Sequence, residues 1–204
     1  MRELEVIKIL QEELKFTDQS IDKLKMLETE LLNANKKHNF IAKSTEDSIW
    51  SRHILDSAQL VKYISFKEGS LSDLGTGAGF PGLVIAIFNQ NFNFHVKLYE
   101  KSPVKRDFLN DMIGKLKLKA TLFSNVFDGK IESGYIVSRA FKKLDKIIQV
   151  SREIVKKPHK LIILKGQNAQ EEAFKAFKKY KYTYKLENSM SDEKSKIIIA
   201  DIFK

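Results

Sequence analysis

Residues 72–82 read S-D-L-G-T-G-A-G-F-P-G, a glycine-rich turn between a short apolar strand and an apolar helix. Gly75, Gly77 and Gly79 lack a Cβ atom, so the turn can be tight and its backbone can adopt positive φ angles. Pro81 suits the first helical turn, where its missing N–H costs nothing. Free N–H groups at such a helix start attract a carboxylate or a phosphate. The stretch therefore predicts a nucleotide-like ligand lying against the backbone of the turn.

Two classes of cofactor fit this turn. The pattern G-x-G-x-x-G at 77–82 is typical of dinucleotide-binding proteins, and D-x-G-x-G-x-G at 73–79 is typical of S-adenosylmethionine-dependent methyltransferases. Both classes place an acidic residue after the second strand, where Glu100 follows an apolar run. A carboxylate there can accept hydrogen bonds from both hydroxyls of a ribose. Glu100 is therefore a predicted cofactor ligand under either interpretation.

The register of the turn favours S-adenosylmethionine. The strand is expected to end at Leu74, so that Gly75 is the first glycine of the turn and the dinucleotide pattern begins two residues late. Asp73 also puts a negative charge near the ligand, which a cationic sulfonium tolerates better than a pyrophosphate does. The glycine loop thus predicts S-adenosylmethionine as the cofactor.

The composition indicates one globular domain. The chain has 204 residues, 43% of them hydrophobic, so we expect a single domain over 1–204 with a helical extension at 1–68 and a cofactor-binding core at 69–204. Cys is absent, which excludes disulfides, thiolate nucleophiles and Cys-based zinc sites, and we predict no metal site. The sequence shows no signal-peptide core and no apolar stretch long enough to cross a bilayer. We expect a soluble, cytoplasmic monomer.

The charge of the chain suggests a polyanionic partner. The formal net charge is +10 and the isoelectric point is about 9.5, which favours binding to RNA or DNA through phosphate neutralisation. Only five of the 36 basic residues are Arg, so a lysine-rich solvated surface is the alternative explanation. The same bias makes each Arg more informative, because the planar guanidinium is not replaceable by Lys.

The apolar pattern divides the chain into a helical part and an alternating part. Helical spacing over 3–35, broken at Thr17, predicts two helices, and a third is predicted over 46–64. After Gly69, short apolar runs alternate with helical patterns, which predicts a parallel sheet. Predicted strands are 71–74, 94–99, 120–123, 135–138, 161–164, 182–187 and 196–202; predicted helices are 81–89, 104–115, 143–155 and 169–180. The alternation of tyrosines and lysines over 180–185 predicts a half-buried strand rather than a base-stacking platform.

This layout predicts an α/β fold. Five strands separated by helices, followed by a terminal β-hairpin, correspond to the Rossmann-like sheet of class I S-adenosylmethionine-dependent methyltransferases, with helices on both faces and here with an N-terminal helical extension. A dehydrogenase would more often continue with another crossover helix.

Several short strings beyond the glycine loop make the chain similar to one family, the bacterial small-subunit rRNA guanine-N7 methyltransferases (GidB or RsmG). These are Asn39, R-H-I-L-D-S at 52–57, D-L-G-T-G-A-G-F-P-G at 73–82, K-R-D-F-L at 105–109, S-R-A at 138–140 and L-K-G at 164–166. They occur in the family's order and cover about residues 36–166. The strings on either side of the glycine loop make the match specific.

The resemblance implies S-adenosylmethionine as cofactor, 16S rRNA or the small ribosomal subunit as partner, and N7 of a guanine as methyl acceptor. Because guanine N7 has a lone pair and no proton to lose, no general base is expected, and positioning supplies the rate. By matching position, the family's cofactor contacts fall on Gly75, Phe80, Val126, Phe127 and Arg139. To these the glycine-loop argument adds Thr76, Gly77, Gly79 and Glu100.

The predicted acceptor side is less defined. Arg139 closes the fourth strand, where it could pair with the methionine carboxylate or grip an RNA phosphate. Asn39 and His53 are candidates to line the acceptor side as positioning groups. The predicted RNA-binding residues are Lys105, Arg106 and Lys165. The segment 125–127 reads N-V-F where relatives usually carry R-[VA]-E, so the carboxylate that relatives carry beside the cofactor is missing here.

The sequence leaves other functions open. A methyltransferase with a different acceptor, or a catalytically silent RNA-binding relative, fits the same composition. A nicotinamide oxidoreductase is disfavoured by the loop register and by the terminal hairpin.

Overall fold

A computed structural model describes residues 1–203, and its centre is one seven-stranded sheet of order β3-β2-β1-β4-β5-β7-β6. The strands are β1 (Gly69–Leu74), β2 (Phe94–Tyr99), β3 (Ala120–Phe123), β4 (Tyr135–Arg139), β5 (His159–Lys165), β6 (Tyr184–Asn188) and β7 (Lys196–Ile202). β1 to β5 run parallel, β7 pairs antiparallel with β5, and β6 pairs antiparallel with β7. The predicted class I sheet with its terminal hairpin is confirmed.

Seven α-helical segments surround this sheet in the described residues. They are α1 (Glu3–Glu12), α2 (Asp18–Asn35), α3 (Asp56–Ala58), α4 (Gly82–Phe88), α5 (Pro103–Lys115), α6 (Leu144–Ile154) and α7 (Ala169–Tyr180). The predicted break at Thr17 is the N-cap of α2, where the Thr17 hydroxyl accepts from the Ser20 N–H at 3.2 Å. None of the helices in 1–203 combines the length and apolar character needed to cross a membrane.

The single helix predicted over 46–64 is wrong in form. The segment is a series of short turns: a 3₁₀ turn (Lys43–Ser48), a π turn (Trp50–Leu55), α3 and a second 3₁₀ turn (Gln59–Tyr63). Side chains within it bond to its own backbone, since Ser57 Oγ donates to the His53 carbonyl at 2.6 Å and Gln59 Nε2 to the Asp56 carbonyl at 3.0 Å. Such bonds compete with the regular helical ladder.

Both faces of the sheet are buried, each under its own layer. Along β5, Ile162 and Leu164 pack into the layer that contains α1, α2, α4 and α5, whereas Leu161 and Ile163 pack into the layer that contains α6 and α7. Alternate side chains of a strand point to opposite faces, so a strand that feeds two apolar layers is apolar along its whole length. The N-terminal helices thus share one core layer with the glycine-loop helix α4.

The strand assigned to the alternating tyrosines begins later than predicted. Tyr180 ends α7, and Lys181 then adopts a left-handed conformation with φ of +58°. Tyr182 lies in the turn, where its hydroxyl donates to the Phe203 carbonyl at 2.7 Å. Only Tyr184 belongs to β6, because the helix continues to Tyr180 and its αL cap uses the next residue.

The strand order places a crevice beside the glycine loop. Both β2 and β4 pair with β1, one on each side, so the connections after β1 and β4 leave the sheet in opposite directions. In open α/β sheets, ligands bind outside the carboxyl ends of the strands at this point of reversal. The fold therefore directs attention to the residues that follow β1, β2 and β4.

We predict that Gly82→Ala destabilises the fold by about 1–3 kcal/mol, because the added methyl group overpacks a full site. A Cβ atom at Gly82 would stand 2.2 Å from Leu98 Cδ2 and 2.7 Å from Asp73 Oδ2. The measurement is the free energy of unfolding in urea. Gly114→Ala in α5 is the control: a Cβ there meets nothing within 4 Å, so stability should rise by about 0.5 kcal/mol through helix propensity. Equal stability of Gly82→Ala and the unmodified chain would contradict the packing described.

Candidate functional site

A cavity of about 400 Å³ lies at the carboxyl ends of β1, β2 and β4. It is lined by Phe40, Ile41, His53, Gly75, Thr76, Gly77, Ala78, Phe80, Tyr99, Glu100, Lys101, Lys105, Ser124, Val126, Arg139, Ala140 and Phe141. This set brings together most of the predicted cofactor residues, although Gly79 only shapes the turn behind them. Within residues 1–203, no group of three or more His, Asp or Glu side chains is arranged to hold a metal ion.

The glycine loop has the predicted backbone conformation. Gly75, Gly77 and Gly79 have φ angles of +72°, +62° and +101°. A Cβ atom at Gly77 would meet no protein atom within 4 Å, so its open side faces the cavity that it lines. At Gly75, by contrast, the ring of Phe141 occupies the space, with Cδ2 at 2.3 Å from the position of a Cβ. The turn therefore needs glycine at Gly75 for packing and at Gly77 for access.

Glu100 fixes the shape of this loop. Its Oε2 accepts from the Gly77 N–H at 2.9 Å, and its Oε1 accepts from the Ser102 N–H at 2.8 Å. Each carboxylate oxygen can accept a further bond, because an oxygen has two lone pairs and uses one here. The predicted ligand residue thus lies in the cavity wall with its charge and half of its accepting capacity available.

Asp73 supports the loop from beneath. It is fully buried, and its Oδ2 accepts from the N–H of Gly82, the first residue of α4, at 2.8 Å. The prediction that this helix start offers free N–H groups to a ligand is therefore wrong for Gly82, because Asp73 takes that donor. Burial raises the pKa of Asp73 to about 7, against the opposing effects of the Gly82 N–H and the Arg139 charge. Asp73 Oδ1 and Thr76 Oγ1 are the buried side-chain polar atoms that lack a hydrogen-bond partner within 1–203.

Arg139, the last residue of β4, joins the cavity wall to the segment before the sheet. Its Nη1 donates to the Arg52 carbonyl at 3.0 Å and lies 3.6 Å from Asp56 Oδ2, and its Nη2 donates to His53 Nδ1 at 2.8 Å. The guanidinium stands over the Phe80 ring at 5.1 Å. Burial lowers the pKa of Arg139, and the Asp56 carboxylate opposes that shift.

The bond from Arg139 determines the state of His53. A guanidinium can only donate, so Nδ1 of His53 must be the acceptor and Nε2 must carry the proton. Nε2 lies 2.9 Å from Thr45 Oγ1, which in turn donates to the Ala42 carbonyl at 2.7 Å. Burial and the charges of Arg139 and Arg52 lower the pKa of His53 to about 3. His53 is therefore neutral, with its only lone pair occupied.

Asn39 does not line the cavity; it is exposed, and its neighbours Phe40 and Ile41 form the wall instead. Asn35 at the end of α2 holds them there, since its Oδ1 accepts from the Phe40 N–H at 2.8 Å and from the Ile41 N–H at 3.0 Å. The sequence analysis missed Asn35. A signal was available, because Asn35 continues the apolar stripe of α2 with a polar side chain.

Of the two cofactor contacts predicted after β3, Val126 and Phe127, only Val126 lines the cavity. Val126 is buried in the cavity wall, whereas Phe127 is 48% exposed and does not line the cavity. The Phe127 N–H donates to Asn125 Oδ1 at 3.3 Å, a local turn that directs the following side chain outward.

Of the predicted RNA-binding residues, only Lys105 lies in the cavity wall. Arg106 Nη1 instead donates to the carbonyls of Glu100 at 3.2 Å and Lys101 at 2.5 Å, so it braces the turn after β2. The side chain of Lys165 is 13% exposed, and its ammonium group forms an ion pair with the Glu172 carboxylate at 2.9 Å within the fold. The prediction of phosphate contacts is therefore not supported for Arg106 and Lys165.

Comparison with known proteins assigns the chain to a family. The sequence model of the GidB family, rRNA small subunit methyltransferase G, matches residues 20–198. The chain belongs to this family.

Proteins named Ribosomal RNA small subunit methyltransferase G are similar over most of their length. That of Rickettsia typhi is 36% identical over 180 residues, 87% of this chain and 92% of its own. That of Novosphingobium aromaticivorans is 34% identical over 204 residues, 97% of this chain and 87% of its own. The family resemblance drawn from the short strings is thereby confirmed.

Solved structures share the fold at low sequence identity. A SAM-dependent methyltransferase from Aquifex aeolicus has a TM-score of 0.61 at 14% identity and covers 79% of this chain and 96% of its own. Aeropyrum pernix fibrillarin, solved with S-adenosyl-L-methionine bound, has a TM-score of 0.53 at 9% identity and covers 67% of this chain and 68% of its own. These likenesses confirm the class I methyltransferase fold of this GidB family member.

We predict that Asp73→Asn stabilises the fold increasingly as the pH rises from about 4 to 7. The folded-state pKa of Asp73 is raised, so the wild type gains stability from its proton at low pH and loses that contribution as the pH passes through about 7. Asn cannot ionise and can still accept from Gly82. The difference in unfolding free energy should grow to a few kcal/mol, on the order of 1.4 kcal/mol per pH unit.

The measurement is urea unfolding of both proteins at pH 5, 6, 7 and 8. Asp107→Asn, an exposed change on α5, is the control and should shift stability by less than about 0.5 kcal/mol at every pH. A difference for Asp73→Asn that does not change with pH would show that the buried carboxylate does not titrate in this range.

Proposed function

We propose that this protein transfers a methyl group from S-adenosylmethionine to N7 of a guanine in 16S rRNA. The observation that carries the proposal is the glycine loop held by Glu100 at the carboxyl edge of a class I methyltransferase sheet, in a chain of the GidB family. The N-terminal extension and the core act as one unit, because Phe40, Ile41 and His53 complete the cavity wall.

The residues of the cavity fit S-adenosylmethionine. Gly77 leaves open space beside the backbone, and Glu100 keeps accepting capacity for the ribose hydroxyls. The Arg139 guanidinium has five N–H groups, more than its bonds to Arg52, Asp56 and His53 use, so it can also bind a carboxylate of the ligand. When bound, the cofactor supplies a methyl group activated by a positively charged sulfur.

The state of His53 favours an acceptor that needs no general base. Its lone pair accepts from Arg139 and its pKa is about 3, so His53 cannot remove a proton from a substrate near neutral pH. A hydroxyl acceptor is activated by such a removal, whereas guanine N7 presents a lone pair with no proton attached. The chain's residues therefore bind and orient the reactants and exclude water, and these effects supply the rate.

The surface near the cavity suits a nucleic acid. Lys101 and Lys105 line the opening, and neither makes a side-chain ion pair or hydrogen bond with the residues that the structure describes. Together with the net charge of +10 they provide sites for phosphate contacts whose strength falls as salt rises. The cytoplasmic location and the monomeric state stay predictions.

The direct test is transfer of a labelled methyl group from S-adenosylmethionine to 16S rRNA, supplied naked and as small subunits from cells that lack the N7 mark. We expect label in 7-methylguanine at one position and no label with heat-inactivated protein. In a separate titration, NAD should not bind. Binding of S-adenosylmethionine without transfer to either substrate would contradict the acceptor and would favour a methyltransferase of another substrate class or a silent RNA-binding protein.

We predict that Gly77→Val weakens S-adenosylmethionine binding by at least about tenfold while the protein still folds. The valine side chain would enter the open side of the loop, where no protein atom lies within 4 Å. Gly69→Val is the matched control, since Gly69 also has positive φ, at +98°, and open space, but starts β1 at the opposite edge of the sheet. Calorimetric titration measures both affinities. An equal loss in the two variants would attribute the effect to backbone strain rather than to occupancy of the cofactor site.

A further inference from the structure

We propose that the β6–β7 loop, residues 189–195, is a positioning element for Arg139, and that Ser191 and Gln59 are positioning residues that act on it through Asp56. The effect on catalysis rests on the proposed function, whereas the effect on Arg139 itself does not.

Asp56 divides its two carboxylate oxygens between the loop and Arg139. Its Oδ1 accepts from Ser191 Oγ at 2.8 Å and from Gln59 Nε2 at 3.1 Å. Its Oδ2 lies 3.6 Å from Arg139 Nη1. The two donors on one oxygen fix the rotation of the carboxylate and so fix where its other oxygen meets the guanidinium.

Gln59 fastens the loop to this carboxylate. It is 1% exposed, and its amide is used on both sides: Oε1 accepts from the Met190 N–H at 2.7 Å, and Nε2 donates to Ser189 Oγ at 2.9 Å. Ser189 and Ser191 lie 2.9 Å apart through their hydroxyls, so the loop residues brace one another. A buried amide with every partner provided is costly to disturb, which makes this contact a defined one.

The topology explains why a loop near the end of the chain reaches this site. β7 runs antiparallel to β5, with Lys196 opposite Lys165, so the residues before β7 lie at the carboxyl edge of the sheet. β5 in turn pairs with β4, with Arg139 opposite Leu164. A second tether lies beside the first, since Arg52 Nη1 is 3.9 Å from Asp192 Oδ2.

The electrostatics make Arg139 depend on this arrangement. Burial raises the pKa of Asp56, and the charge of Arg139 and the Ser191 hydroxyl oppose that rise. Removing the Ser191 donor frees Asp56 Oδ1 and makes the ionised form less favourable, which weakens its hold on Arg139. Arg139 Nη1 would then keep only the Arg52 carbonyl, and the bond from Nη2 to His53 would lose its fixed direction.

A double-mutant cycle distinguishes positioning from general stability. We expect Ser191→Ala to lower kcat/KM for methyl transfer by about five- to tenfold in the wild-type background and by less than about twofold in an Arg139→Ala background, because the effect passes through Arg139. Ser191→Thr should restore activity, since it keeps the hydroxyl. Thr29→Ala is the control: the exposed Thr29 hydroxyl bonds the Lys25 carbonyl on α2, away from the loop and from Arg139, so activity should be unchanged.

The second measurement needs no substrate. With five Arg residues in the chain, the Arg139 side-chain N–H signals can be assigned by NMR from their absence in Arg139→Ala. We expect Ser191→Ala and Gln59→Leu, but not Thr29→Ala, to shift these signals and to speed rotation of the guanidinium. Unchanged Arg139 signals in Ser191→Ala, or the same loss of activity in both backgrounds, would overturn the inference. If the variants show the NMR response but the unmodified protein methylates no rRNA, the proposed function alone is overturned.

Discussion

The partial burial of the Arg139 charge is the constraint that shapes this site, since its side chain is only 20% exposed. A guanidinium largely removed from water must find acceptors, because an unpaired buried charge is strongly destabilising. Its acceptors come from the turns before the sheet, where the Arg52 carbonyl, His53 and Asp56 converge on it. Residues 43–63, a series of short turns, supply all three acceptors and also place the Thr45 hydroxyl 2.9 Å from His53 Nε2.

A second constraint is the shape of the glycine loop, which two carboxylates hold from different sides. Asp73 binds the first N–H of α4 from within the core, and Glu100 binds the Gly77 N–H from the cavity side. The division matches their surroundings. The buried Asp73 has a raised pKa and binds only the backbone of the fold. Glu100 faces the cavity and keeps accepting capacity for a ligand. Glu100 can serve both the loop and a ligand because it lies in the cavity wall, whereas the buried Asp73 serves the loop alone.

The sequence predicted the sheet well and the polar contacts poorly, for one physical reason. β2, β3 and β7 were predicted to the residue, because each is a short apolar or alternating run bounded by polar turns. Glu100 and Arg139 both lie in the cavity wall, because the parallel order puts the carboxyl ends of these strands together. Arg106 and Lys165, predicted to contact RNA, meet carbonyls and a carboxylate of the fold, contacts that a basic side chain does not reveal in sequence. Their partners are set by chain folding, which local pattern does not report.

Local sequence patterns also gave no sign of the contact between the segment before β1 and the β6–β7 loop. Gln59 and Ser189 are separated by 130 residues and carry no motif, yet the antiparallel β7 brings them within 2.9 Å. The strand that ends the fold as a hairpin therefore does more than close the sheet edge. Because β7 is antiparallel to β5, the loop that precedes it lies at the carboxyl ends of the parallel strands, where Ser191 contacts Asp56. A parallel seventh strand would have placed its preceding loop at the opposite edge, and Arg139 would then have had to be held by the extension alone.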